Sequence, residues 1–210
     1  PSRLHEAALE VLATQDLRDA VVRLTVTRGI AGGRPVRTGA WIEAEPIAAR
    51  LWAGTRHAAA SAIVSRAPFD AGWLGRHKTT SRLAWDLARE EARAAGVDET
   101  LLVSSAGRVL EGAASNLFVV RAGEVLTPPI ADDVLPGVTR ALVLRLCAEL
   151  GLPAREHTLA PTDLHGADEV FLTNSVQEVL PVATLDGRAL PSRAIGLRLL
   201  EAYRGLVATT

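Results

Sequence analysis

Methionine is absent from this 210-residue chain, tyrosine and cysteine occur once each, and aromatic residues make up only 4% of it. The lone Cys147 has no partner for an internal disulfide, so a disulfide framework is excluded and a reduced, cytoplasmic setting fits. Long apolar runs are missing too. No stretch reaches the ~18 to 20 uncharged apolar residues that a membrane-spanning helix needs. The opening PSRLHEAALEVL reads as helix, with Leu4, Ala8, Leu9 and Leu12 on one face, and not as a charged-then-apolar leader. An excess of one charge sign is also absent. With 23 basic and 24 acidic residues the formal net charge is −1, which argues against nucleic acid or an anionic membrane as partner. No His, Cys or Asp spacing suggests a metal site. The scarcest cation is lysine: Lys78 stands alone against 22 arginines. Arginine neither gives up its proton nor forms an imine, and lysine does both, so Lys78 is a candidate for chemistry.

What is present describes a globular mixed α/β chain. It is 48% hydrophobic and 22% charged, enough for one good core or one core and part of a second. Alternation and β-branching predict strands over 21–29, 39–44 and 61–69, the last leading into a loop, DAGWLGRH. A helix follows Lys78, with Leu83, Leu87, Glu91 and Ala95 four apart, and Gly96 stops it. ETLLVSS and GRVLEG read as two strands, and NLFVVRAGEVLT as a hairpin turning at Ala122-Gly123. LPGVTRALVLRLCAELG reads as a helix with Val138, Leu142, Val143, Leu146 and Leu150 on its apolar face, stopped by Gly151. A strand at 154–157, a small helix near 161–165, a strand at 168–175, a hairpin at Asp186-Gly187 and a helix over 192–206 complete the chain. Hairpins dominate, so a doubly wound parallel sheet is not expected and the class is α+β. The predicted division is 1–44 as a small α/β domain, 45–54 as linker and 55–210 as a large domain.

Three features combine. Lys78 offers an imine-forming amine. Glu111, at a strand end, offers a carboxylate able to keep a pyridinium nitrogen protonated. Gly137, Val138 and Thr139 open a helix whose free N–H groups and dipole suit a phosphate, with the LTNS turn (Thr173, Asn174, Ser175) beside them. Together these are what pyridoxal phosphate requires of a protein. Each alone equally fits a surface lysine, an ordinary cap and an ordinary turn.

The run HKTTSRL, EEARAAGVDETLLVSSAGRVLEGAASNLFVV, LTPPIADDVLPGVTRALVL, ADEVFLTNSVQEVLPV and LDGRAL resembles the fold-type IV pyridoxal-phosphate enzymes, in order from 77 to 190. These enzymes include branched-chain and D-amino-acid aminotransferases and 4-amino-4-deoxychorismate lyases. The resemblance implies pyridoxal 5'-phosphate as cofactor, a two-domain fold, a small-molecule substrate and a homodimer. It implies that Lys78 is the imine lysine and the proton carrier, and that Glu111 pairs with the ring nitrogen. It implies further that Val138, Thr139 and Ser175 hold the phosphate and that Ser115 and Asn116 lie under the ring. The K-x-x-S-R-L spacing of Lys78 to Leu83, the LTNS turn and VTRGIAGGR (26 to 34) look most like the lyases. That likeness assigns Arg28, Arg82 and Asn174, with Arg34, to substrate binding. The expected activity is therefore conversion of 4-amino-4-deoxychorismate to 4-aminobenzoate and pyruvate. A D-amino or branched-chain aminotransferase, and a non-catalytic homologue, are the alternatives. Family members also begin with about 50 to 65 further residues, a length typical of part of a small domain. That segment carries a phosphate-clamping arginine, so the small domain is expected to be incomplete in this chain.

Overall fold

The computed structural model describes residues 2–18, 20–29, 38–47 and 59–208. The chain divides into two compact units, Pro1–Leu51 and Trp52–Thr210.

In the first unit, α1 (Ser2–Thr14) packs on a two-stranded antiparallel sheet of β1 (Ala20–Val26) and β2 (Ala40–Pro46). The register sets Val22 opposite Ala44, Leu24 opposite Ile42 and Val26 opposite Ala40. Directly opposed residues share a face, so the period of two collects one apolar side of the ribbon. Val22, Leu24 and Val26 are exposed. β2 reaches Pro46, two residues into the expected linker, and 48–54 lie outside the described residues, as does Arg34.

The second unit is built on one mixed sheet. In chain order its strands are β3 (Ala60–Val64), β4 (Glu99–Val103), β5 (Val109–Gly112), β6 (Asn116–Arg121), β7 (Glu124–Thr127), β8 (Ala154–Glu156), β9 (Glu169–Asn174), β10 (Glu178–Leu185) and β11 (Arg188–Ala189). They lie side by side as β5-β4-β3-β10-β9-β6-β7-β8, with β11 paired to β10. Three pairings are parallel: β3 with β4, β3 with β10, and β7 with β8. The first is made by the crossover helix α2 (Leu83–Ala95), the last by α3 (Val138–Glu149). The other pairings are antiparallel, which accounts for the many hairpins. α4 (Pro161–His165) and α5 (Ala194–Val207) complete the unit. No helix among the described residues is long and apolar enough to cross a membrane.

Alternation along β6 feeds two cores. Leu117 and Val119 enter one cluster with Leu101, Leu172 and Val182, and Phe118 and Val120 enter another with Phe171, Val143 and Leu199. Phe118 and Phe171 face each other across β6 and β9 and stack at 4.8 Å. Cys147 is fully buried in that second cluster, and burial pushes its thiol up to about 11, so it stays protonated. A third cluster packs Phe69, Trp85, Ala88, Leu102, Leu110, Ala113 and Val134.

One helix turns a different face inward from the one its leucine spacing predicts, and a second departs from it at its first residue alone, Val143 and Leu146 being buried and Leu142 and Leu150 packed on the core as expected. In α2 the buried side chains are Trp85, Ala88 and Ala92, while Leu83 and Leu87 are exposed. The large indole takes the place beneath the helix, and the small alanines let α2 approach the sheet closely. In α3, Val138 is 82% exposed and Thr139 and Arg140 are buried. Both expected stops hold. Gly96 ends α2 in the left-handed conformation (φ 69°), its N–H and that of Val97 donating to the Arg93 and Ala92 carbonyls. Gly151 follows α3 with φ 67°, its N–H donating to the Ala148 carbonyl.

The loop before Lys78 is a 3-10 turn over Gly72–Arg76. Arg76 Nε donates to Asp133 Oδ1 at 2.8 Å, and its Nη2 to the Ala131 carbonyl at 3.3 Å. A Cβ at Gly75 would lie 1.8 Å from the Asp133 carbonyl oxygen. Gly75→Ala is expected to push these segments apart and cost about 1–3 kcal/mol. Gly205→Ala, in α5 where an added Cβ meets nothing, is expected to be neutral or slightly stabilising. Thermal melts of the two variants check the opposite signs.

Candidate functional site

Glu111 is the centre of the site. It sits near the end of β5 and is 6% exposed. One of its oxygens, Oε2, accepts from Asn116 Nδ2 at 3.1 Å and from the Leu135 N–H at 3.0 Å. Asn116 Nδ2 also donates to the Leu135 carbonyl at 2.8 Å, closing a ring of three residues. The Trp85 indole hydrogen-bonds the same carboxylate. Burial pushes the Glu111 carboxyl up to about 7; the bonds from Leu135 and Trp85 and the positive charges of Lys78 and Arg82 oppose that rise without cancelling it.

The electrostatic reach of Lys78 and Arg82 brings together two parts of the chain more than 25 residues apart. Lys78 is exposed and lies in the connection between the 3-10 turn and α2. A groove of about 620 Å³ borders this segment, lined by Leu74, Thr80, Ser81, Arg82, Leu83 and Trp85. Arg82 sits over the Trp85 ring at 5.4 Å and donates from Nη2 to the Ala113 carbonyl at 3.0 Å.

From Leu135 the chain enters α3 within three residues. A Cβ at Gly137 would fall 2.0 Å from Asn116 Oδ1, so only glycine lets the helix start approach this closely. No side chain caps the first turn of α3. Thr139 is buried in that turn and Val138 points its side chain outward. The 174–177 turn is shaped by Asn174, whose Oδ1 accepts from Val176 N at 2.9 Å and Gln177 N at 2.7 Å. Ser175 is exposed in that turn. Thr173, directly opposite Asn116, buries a hydroxyl that has no hydrogen-bond partner among the described residues.

The structure thus gathers Lys78, Arg82, Glu111 and Asn116 electrostatically or by hydrogen bond. It gives three sequence-predicted residues other occupations. Asn174 spends its amide on its own turn and on the Ala114 carbonyl (Nδ2, 3.1 Å), and Arg82 spends a donor on Ala113. Ser115 is buried and donates its hydroxyl to Glu99 Oε2 at 2.8 Å. Arg28 is exposed just beyond β1 in the first unit. Trp85 and Glu99 escaped the sequence reading. The signals were present: a tryptophan inside a helix otherwise rich in alanine, and an acid opening the apolar strand ETLLV.

The family model described as Amino-transferase class IV matches residues 1–185. The chain is 35% identical over 199 residues to the "Putative branched-chain-amino-acid aminotransferase" of Methanocaldococcus jannaschii, covering 91% of this chain and 67% of that one. Against the branched-chain-amino-acid aminotransferase of Escherichia coli (strain K12) it is 37% identical, over 57% of this chain and 40% of the other. The crystal structure of a T.th. branched-chain amino acid aminotransferase with pyridoxamine 5'-phosphate superposes with a TM-score of 0.83 at 30% identity, over 99% of this chain and 71% of that chain. A Legionella pneumophila structure named "Putative 4-amino-4-deoxychorismate lyase" shares the fold, with a TM-score of 0.85 at 24% identity, over 95% and 75%.

The buried carboxyl has a pH signature. Glu111 in the fold holds its proton to about 7, whereas in the unfolded chain it loses it near 4.5. Between those values the folded protein binds more protons than the unfolded one, so stability falls as pH rises through the window and stays low above it. The difference is roughly 3 kcal/mol. Cofactor-free Glu111→Gln is therefore expected to match the wild type near pH 4.5 and to exceed it in urea midpoint at pH 8. Equal midpoints at pH 8 would show that the carboxyl is not held against its charge.

Proposed function

The chain belongs to the class IV aminotransferase family, and on that footing we propose that it is a pyridoxal-phosphate-dependent aminotransferase of branched-chain amino acids. The observation that carries this reading is that the positive charge of the lone lysine, Lys78, acts on the buried Glu111 carboxyl. The names of the relatives support the substrate class. They favour the aminotransferase alternative over the lyase that the K-x-x-S-R-L and LTNS stretches suggested, since the lyase-named structure is alike at the level of fold alone.

The residues present fit the cofactor. Glu111 is a desolvated carboxylate with a charge that its hydrogen bonds leave incompletely compensated, and a protonated ring nitrogen would supply the missing cation. The uncapped start of α3, brought against Asn116 by Gly137, offers amides and a positive dipole end to a phosphate. Bound pyridoxal phosphate supplies an aldehyde that captures amines and a ring that takes up electrons from the substrate's α-carbon.

The chain's own residues do the rest. Glu111 would keep the ring nitrogen protonated, and the cation would favour the charged form of its carboxyl. Lys78 Nζ would hold the cofactor and would carry the proton at the substrate's α-carbon. Val138 and Thr139 amides and the Thr139 and Ser175 hydroxyls take the phosphate. Arg82 and Asn174 we assign to the backbone they hold, not to substrate.

Borohydride reduction in the presence of pyridoxal phosphate is expected to add one reduced cofactor to the protein, mapped to Lys78 by mass spectrometry. Leucine, isoleucine or valine should then convert the bound aldehyde to the amine and release the matching 2-oxo acid. Lys78→Ala should lower turnover on the order of 10²- to 10⁴-fold. Absence of label at Lys78 refutes the reading; pyruvate release from 4-amino-4-deoxychorismate without amino-acid half-reactions would restore the lyase.

A further inference from the structure

Glu99 is a second buried carboxylate, 4% exposed, for which the proposed reaction has no use. It opens β4, next to β5 on which Glu111 lies. Its Oε2 accepts from the Ser115 hydroxyl at 2.8 Å and from Ala114 N at 3.3 Å, and its Oε1 from Thr100 N at 3.1 Å. Burial raises the Glu99 pKa, and Arg89 is the charge among the described residues that opposes the rise. A leucine would fill this position at less cost than an ionisable group. What the carboxylate imposes is the shape of one turn, 112–115.

That turn separates Glu111 from Asn116, which are joined across it by the Asn116 Nδ2 to Glu111 Oε2 bond. It is held at each step. Ala113 N donates to the Thr100 carbonyl at 3.0 Å, and Gly112 N to the Ser115 carbonyl at 2.8 Å. The Ala113 and Ala114 carbonyls accept from Arg82 and Asn174. Gly112 is pressed so closely that an added Cβ would lie 2.3 Å from Ser115 Oγ and 2.9 Å from Glu99 Oε2. Glu99 is the member of this set that grips two successive residues of the turn, Ala114 and Ser115, from beneath.

We propose that Glu99 is a positioning residue: through Ser115 and the 112–115 turn it fixes the Glu111–Asn116 pair in the geometry that meets the cofactor's ring nitrogen. The inference rests on the pyridoxal-phosphate reading for its functional consequence, but its structural core concerns only residues of this chain. Releasing the turn shears the Asn116 Nδ2 to Glu111 Oε2 bond and frees Arg82 from the Ala113 carbonyl, and a carboxylate that loses a donor and a neighbouring positive charge loses support for its charged form. The Glu111 carboxyl then titrates higher. Of the two positive charges that act on it, Lys78 and Arg82, Arg82 is tied through the Ala113 carbonyl to the turn that Glu99 holds.

The test uses the full protein and four variants: Glu99→Leu, Glu99→Gln, Ser115→Ala and the Glu99→Leu/Ser115→Ala double. The first readout is the Glu111 midpoint in cofactor-free protein, followed by ¹³C NMR of labelled glutamate carboxyls and assigned by its loss in Glu111→Gln. Glu99→Leu and Ser115→Ala are expected to raise that midpoint. Glu99→Gln keeps an oxygen for Ser115 and Ala114 and is expected to restore it. The double variant should be no worse than Glu99→Leu, because both changes cut the same link. In loaded protein, Glu99→Leu should lower kcat roughly 10- to 100-fold, the effect of a displaced reacting group. The amino-acid KM should stay within about three-fold of the wild type, since ground-state binding is untouched. If Glu99→Leu does not fold, Ser115→Ala and Glu99→Gln decide the matter alone. A midpoint that stays put or falls in Ser115→Ala or Glu99→Leu overturns the proposal, as does full additivity in the double. A wild type that takes up no pyridoxal phosphate defeats the functional reading instead, and the cofactor-free titration still decides what Glu99 does.

Discussion

The burial of one carboxylate organises this unit. Glu111 is drawn out of water between β5, α2 and the entry to α3, and a carboxylate so placed must find partners or keep its proton. The ring it makes with Asn116 and Leu135 answers part of that demand. It also couples two features that sequence distance would leave independent. Asn116 begins β6 and Leu135 leads into α3, so the carboxylate, the first residue of a central strand and the start of a helix move as one piece. Gly137 completes the join by leaving no room for a side chain against Asn116.

A rank of residues stands behind that piece and reads as support. Arg82, Asn174, Thr100 and Glu99 all direct donors or acceptors at the backbone or hydroxyl of the 112–115 turn. They come from the start of α2, the end of β9 and the start of β4. A four-residue turn gripped from three elements has little freedom to relax, which suits a site whose reactive groups must be held to fractions of an ångström. The unit therefore spends costly buried polar groups where precision matters and hydrocarbon elsewhere, as the two apolar clusters on either side of β6 illustrate.

Much of this was legible in the sequence because local chemistry and tertiary structure agree. Gly96 stops α2, Ala122-Gly123 turns the β6–β7 hairpin with both residues at positive φ, and the small helix expected near 161–165 is there. Lys78 and Glu111 each fit an ordinary surface or turn role when taken alone, and it is their place in one ordered run of motifs that singles them out. The rest was hidden for physical reasons. Leucine spacing in α2 points to Leu83 and Leu87, but the face turned inward is decided by the fit of Trp85 over Phe69 and Leu102. The donors of Arg82 and Asn174 are visible in the sequence, but the carbonyls to which each gives one hydrogen bond belong to a turn 31 and 60 residues away and are not. Glu99 looks like a solvated strand end until the pairing of β4 with β5 brings Ser115 over it.

Trp85 gives the molecule an optical property that none of its other described tryptophans shares. Its indole is buried, hydrogen-bonded to the Glu111 carboxylate and crossed by the Arg82 guanidinium, whereas Trp41 and Trp73 are 46% and 68% exposed. Its emission is tied to the charge on the carboxylate beside it, and a water-borne quencher reaches the two exposed rings far more readily than this one. The protein carries an internal fluorophore at the most informative point in its fold, and the colour and lifetime of that single residue report the electrical state of the site without any label.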